Sequence, residues 1–148
     1  MNRTIVGFAA AAAVALAACG DDGNDQGPDA AGDTDGMPAI DAAPRQVIME
    51  NQTLVPGELV EGIMTGGPSD LAIIHLEAPA AELDWNIHGH AGGGTQTVYE
   101  EYNRMVADYS FVPSAQGDWW LLLRNSGPTD MTISVRVELY GDMQWRWQ

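Results

Sequence analysis

The sequence predicts an all-β domain over residues 47–148: a single antiparallel β-sandwich, jelly-roll-like, of about eight strands. Three observations predict it. Met131 to Tyr140 alternates strictly, with Ile133, Val135, Val137 and Leu139 separated by Thr132, Ser134, Arg136 and Glu138, so one face of a strand meets a core and the other meets water. Short apolar or alternating runs recur every ~10 residues, punctuated by Gly, Pro, Asn and Asp, which is the rhythm of sandwiches and jelly rolls. No long helical segments alternate with these runs, so a parallel α/β sheet is not expected.

In chain order the strands are expected at Val47–Leu54, Glu58–Met64, Leu71–Glu77, Leu83–His90, Thr95–Tyr102, Met105–Val112, Trp119–Arg124 and Met131–Tyr140. Pro56-Gly57 separates the first two, Gly66-Gly67-Pro68 the second and third, and Gly92-Gly93-Gly94 the fourth and fifth. Residues 97–109 admit a second reading. Val98, Tyr102, Met105, Val106 and Tyr109 also share a helical face, and Thr97 and Glu100 have the spacing of a capping box. Two strands turning near Asn103-Arg104 are favoured, because Val, Tyr and Thr dominate the stretch and its neighbours are strands.

The N-terminal third reads as an address and a spacer. Arg3 precedes an uncharged, Ala-rich run of 14 residues, Ile5 to Ala18, which has the layout of a secretory signal peptide and is short for a transmembrane helix. Leu16-Ala17-Ala18-Cys19 resembles the bacterial lipobox. That resemblance makes 1–18 a lipoprotein signal peptide and Cys19, the only cysteine, the lipidated N-terminus of the mature chain. It implies a bacterial cell-envelope protein with its domain outside the cytoplasm, periplasmic or at the cell surface. Residues 19–46 carry seven Asp among Gly, Pro and Ala and few large apolar side chains, which predicts a disordered acidic linker. Asp22 to Gly27 begins like a calcium loop, but Gln26 takes a ligand position, Pro28 follows and no Glu closes it.

Charge narrows the partners. The 148 residues hold 21 acids against 6 Arg and no Lys, a formal charge of −15, to which Arg3 contributes +1, the spacer −6 and the domain −10. No basic cluster exists to grip nucleic-acid phosphates, so nucleic acid is excluded as a partner.

The segment from Tyr109 through Phe111, Pro113, Gly117, Trp119, Leu121 and Asn125, followed by the strand to Leu139, resembles the closing strands of bacterial pre-peptidase C-terminal domains and of GOLD-like domains. Leu83 to Ile87 sits where the pre-peptidase type has an acidic, alternating strand. The resemblance implies a non-catalytic binding or stability module and carries no active site with it.

His88-Gly89-His90 is the main candidate constellation. On a strand, Asp84, Asn86, His88 and His90 share one face while Trp85 and Ile87 point to the core. Two imidazoles two residues apart suit Zn²⁺ or Cu²⁺, with His75, Glu77 or Glu100 as candidate further ligands. The plain alternative is two polar residues on a solvated face leading into the glycine loop. That loop has neither the following helix nor the Lys of a phosphate cradle. Glu100 and Glu101 are adjacent, so on a strand they face opposite ways and do not form an acid–base pair. None of the five serines carries a nucleophile signature, and no enzyme activity is expected.

Trp85 and Trp119 fit inward positions. Trp120 has the opposite parity to Trp119, and Trp145 and Trp147 alternate around Arg146 at the end of the chain, so Trp120, Trp145 and Trp147 are candidates for an exposed ligand platform facing an unknown protein or polymer. The alternative for the last two is a tail folded back over an edge strand or an opening in the core.

Overall fold

A computed structural model describes residues 43–90 and 94–148. The signal peptide, Cys19 and most of the acidic linker lie outside the described residues. The described residues form nine strands: β1 (Gln46–Leu54), β2 (Leu59–Gly66), β3 (Leu71–Glu77), β4 (Leu83–Gly89), β5 (Gln96–Arg104), β6 (Val106–Phe111), β7 (Gly117–Asn125), β8 (Met131–Tyr140) and β9 (Gln144–Trp147). No helix occurs among the described residues.

Two antiparallel sheets form, in the orders β1-β8-β3-β6 and β5-β4-β7-β2-β9. The pairings β4 with β5, β3 with β6, β2 with β7 and β1 with β8 are the rungs of one long hairpin whose tip is the β4–β5 connection. Rolling that hairpin sends alternate rungs to alternate sheets, and the contacts β3–β8 and β4–β7 join them. This is jelly-roll topology, as expected. The count is nine rather than eight because Gln144–Trp147 adds an edge strand to β2. Four residues at the end of the chain give too short an alternation for the sequence pattern to register as a strand.

The core follows from parity. In β8 every second residue from Met131 to Leu139 is buried, and in β7 Trp119, Leu121, Leu123 and Asn125 are. Leu76, Leu83, Ile87, Leu121, Ile133 and Val137 have no exposed surface. These side chains interdigitate between the sheets and hold the outer faces at fixed positions.

Residues 97–109 are two strands. Val98, Tyr102, Met105 and Val106, which would form the buried stripe of a helix, are 44–60% exposed. The turn comes where expected: Asn103 adopts φ 54°, a left-handed conformation that Asn tolerates better than most residues, and its N–H donates to Asp84 Oδ1 at 3.0 Å. The fold also begins slightly earlier than the spacer's expected end at residue 46. Gln46 already opens β1, Arg45 N–H donates to Leu139 O at 2.8 Å, and the Arg45 guanidinium pairs with Asp142.

Candidate functional site

The five-stranded sheet turns one face to the core and the other outward, and the outward face collects the candidate side chains. On β4 these are Asp84, Asn86 and His88, with His90 just past the strand end. The register sets His88 opposite Trp120 of β7 on one side and opposite Thr97 of β5 on the other. His88 is nonetheless only 5% exposed. The Trp120 indole lies nearly parallel to its imidazole, with centroids 5.9 Å apart and planes 12° apart, and His90 stands perpendicular to both rings, 5.1 Å from His88 and 4.3 Å from Trp120. His90 remains exposed.

Three polar side chains are buried among the described residues: Asp70, Asn125 and His88. The first two hold loops. Asp70 accepts from Gly67 N–H and Asp142 N–H, while Asn125 bonds Leu54 O, Thr129 O and Gly127 N–H. His88 differs. Its Nδ1 is 2.7 Å from Asn86 Oδ1 and donates to it, which leaves Nε2 facing Glu61 Oε1 at 3.6 Å, beyond hydrogen-bond length. Burial lowers the His88 pKa below the ordinary histidine value; the Glu61 charge pulls it upward and His90 pushes it further down. Burial thus favours the neutral imidazole, whose Nε2 side is turned toward the Glu61 carboxylate.

Two hollows flank the pair His90–Trp120, which belongs to both. One, of about 450 Å³, lies between Gly89, His90 and Gln96 on one side and the β6–β7 loop on the other, with Gln96, Ser114 and Gln116 on its walls and the Trp119 and Trp120 indoles as its apolar part. Gly89, on its wall, packs close to Trp119: a Cβ there would come within 3.0 Å of the ring. The other, of about 520 Å³, runs over the sheet face past Asn86, His88, Thr97, Glu61 and Gln148. Both are of a size that small-ligand sites commonly have, roughly 300–1,000 Å³.

The remaining candidates lie elsewhere. His75 and Glu77 are on the outer face of the other sheet, where the imidazole bonds Asp108 Oδ1 at 2.6 Å and Glu77 Oε1 at 3.0 Å; neither residue reaches His88. Glu100 pairs with Asn86 across β4 and β5 but accepts from Tyr102 O–H. Glu101 turns the other way and accepts from the buried Trp85 indole at 3.1 Å, confirming that the two glutamates are not a pair. The acid that does approach His88 is Glu61, which sequence reasoning missed because β2 and β4 meet only across β7. Among the described residues no three His, Cys, Asp or Glu side chains are grouped so as to hold a metal ion.

Trp145 and Trp147 do not join Trp120. Both rings point inward from β9, packed edge to face at 5.1 Å against the core. Trp147 Nε1 donates to Glu50 Oε2 of β1 at 2.6 Å, so the pair closes the side of the sandwich between its two edge strands. The aromatic ligand candidate on the sheet face reduces to Trp120, with Trp119 beneath it.

No protein-family model matches the chain, and no curated protein matches it. Among solved structures it is similar to PliG of Aeromonas hydrophila, a periplasmic lysozyme inhibitor of g-type lysozyme, with a TM-score of 0.49 and 6% identity over 66% of this chain and 88% of that one. It is similar also to the Yersinia pseudotuberculosis-derived mitogen, with a TM-score of 0.48 and 15% identity over 67% of this chain and 89% of that one. At this level neither carries an activity to this chain.

Proposed function

We propose that the protein is a lipid-anchored module of the bacterial cell envelope, tethered through Cys19, whose jelly roll serves as a non-catalytic binding domain and takes its ligand on the outer face of the five-stranded sheet. The observation that carries the reading is the His90–Trp120 ridge with a hollow on either side. Trp120 stands on β7, which is hydrogen-bonded to β4 and β2, and His90 follows directly on β4, so the Trp120 side of the site is preorganised. In the non-catalytic reading His88 is a positioned polar ring, its nitrogens facing the Asn86 amide and the Glu61 carboxylate.

The test is site-specific photo-crosslinking in the native envelope. A photoreactive side chain at exposed Gln96, on the lip of the first hollow, is expected to yield a discrete adduct, and one at exposed Ser134, on the outer face of the other sheet, is expected to yield none. Equal labelling at both, or none at Gln96, removes the face from the proposal.

A second reading, a Zn²⁺ or Cu²⁺ site on His88 and His90, draws support from Glu61, which adds a carboxylate beside an accepting imidazole nitrogen. A metal there needs His90 and Glu61 to close on His88. Calorimetric titration with Zn²⁺ and with Cu²⁺ tests it: equal affinity in the His88→Ala, His90→Ala double variant excludes these ligands.

A further inference from the structure

We infer that the ligand of this face is an uncharged saccharide chain lying across the His90–Trp120 ridge, an assignment that rests on the reading of the face as the binding site. Four features of the site lead there.

The first is the backbone. β4 and β7 are paired on both sides and the free rungs of this sheet lie at its edges, on β5 and β9, so a ligand over Trp120 is recognised by side chains that stand on the sheet. The second is the chemistry of those side chains. Gln96, Ser114 and Gln116 in one hollow and Asn86, Thr97 and Gln148 in the other are amides and hydroxyls, which donate and accept alike, beside the indole of Trp120. Sugar hydroxyls also donate and accept, and the C–H surface of a pyranose ring suits an aromatic side chain with one apolar and one polar aspect.

The third is charge. No Arg lines either hollow, and the carboxylates there are Glu61 and Asp118, the second of which is held by Thr65 Oγ1 and by Arg146 Nη2 at 2.9 Å. A domain charge of −10 around such a site repels phosphate, sulfate and uronate groups, which leaves neutral residues. The fourth is shape. The two hollows share His90 and Trp120, so a ligand using both must pass over the ridge, and an oligomer is favoured over a single ring.

The experiment is titration of the purified full chain with the hexamers of β-1,4-linked N-acetylglucosamine and of β-1,4-linked glucose, with monomeric N-acetylglucosamine, and with an oligogalacturonate of equal length, read by calorimetry and tryptophan fluorescence. A neutral hexamer is expected to bind at least about tenfold more tightly than the monomer, a difference of about 1.4 kcal/mol, and the oligogalacturonate not to bind. Trp120→Ala should weaken the hexamer by about tenfold or more, and Trp120→Phe by less. Should Trp120→Ala fail to fold, Gln96→Ala on the exposed lip takes its place, with a smaller expected loss. Tighter binding of the oligogalacturonate, or no saturation by either neutral hexamer at millimolar concentration, overturns the assignment. Failure here with a protein adduct at Gln96 keeps the face and replaces the saccharide by a protein; failure here with no adduct removes both.

Discussion

His88 Nε2 and Glu61 Oε1 stand 3.6 Å apart on strands that are not neighbours, meeting over β7. The carboxylate stabilises the imidazolium, burial and His90 oppose it, and burial is the largest of the three, so the folded-state pKa lies below the ordinary value. The sign for stability follows. A base whose pKa is depressed by folding adds stability that is fully present above the unfolded value and is lost as pH falls through the folded one. NMR titration of the His88 ring is expected to show this depression, and Glu61→Gln is expected to deepen it by removing the one raising influence. An unchanged or higher pKa in Glu61→Gln would mean that the carboxylate does not act on the ring.

His75 gives the opposite sign on the opposite sheet. Hydrogen bonds to Asp108 and then to Glu77 raise its pKa, against a smaller effect of burial. Its contribution is fully present below the unfolded value and disappears as pH rises through the raised one. The ring is about a third exposed, so the effect is modest and weakened by salt. Urea unfolding at a series of pH values should show His75→Gln losing stability relative to the parent at pH 5 and matching it at pH 9. A difference that is constant with pH would assign the loss to packing.

Much of the sandwich was legible because parity is local. Ile133, Val135 and Val137 announce their strand by alternation, and Trp119 and Trp120 announce opposite faces simply by being adjacent. The register between strands is not local. That His88 meets Trp120, and that Glu61 comes within reach of His88, depends on β7 lying between β2 and β4, which no pattern within a single strand encodes. The same gap made His75 a candidate partner of His88 although the two stand on different sheets. Trp145 and Trp147 were legible as sharing one face, but not which way that face turned, because inward orientation needs the open edge between β1 and β9 to exist first.

The anchor is tested at Cys19. Replacing its sulfur by Cys19→Ala removes the site of lipid attachment implied by the lipobox. Several acyl chains at roughly 0.8 kcal/mol per buried methylene hold a protein stably at a bilayer, and without them nothing else is proposed to hold it. The parent is expected in the detergent-extracted membrane fraction with an acylated N-terminal Cys19 by mass spectrometry, and the variant in the soluble fraction or as unprocessed precursor. A parent chain whose Cys19 carries no acyl mass would end the lipoprotein reading.

Gly62 and Trp145 offer a test of how the sandwich closes along its side. Their strands pair, and a Cβ built on Gly62 would overlap Cη2 and Cζ2 of Trp145, so the six-membered part of the indole occupies the space a side chain at 62 would need. The Trp145 Nε1 is buried without a hydrogen-bond partner, so the ring is held there by packing against a desolvation cost. Gly62→Ala should therefore overpack the contact and destabilise by about 1–3 kcal/mol. Phenylalanine at 145 lacks the outer carbons of the indole and also the unpaired N–H. Thermal unfolding should show the Gly62→Ala, Trp145→Phe double variant regaining much of the loss, a coupling that adjacent, shape-matched residues produce and independent sites do not. Additive losses in the double variant would show that the Gly62→Ala cost arises in the β2 backbone, with the indole free to move aside.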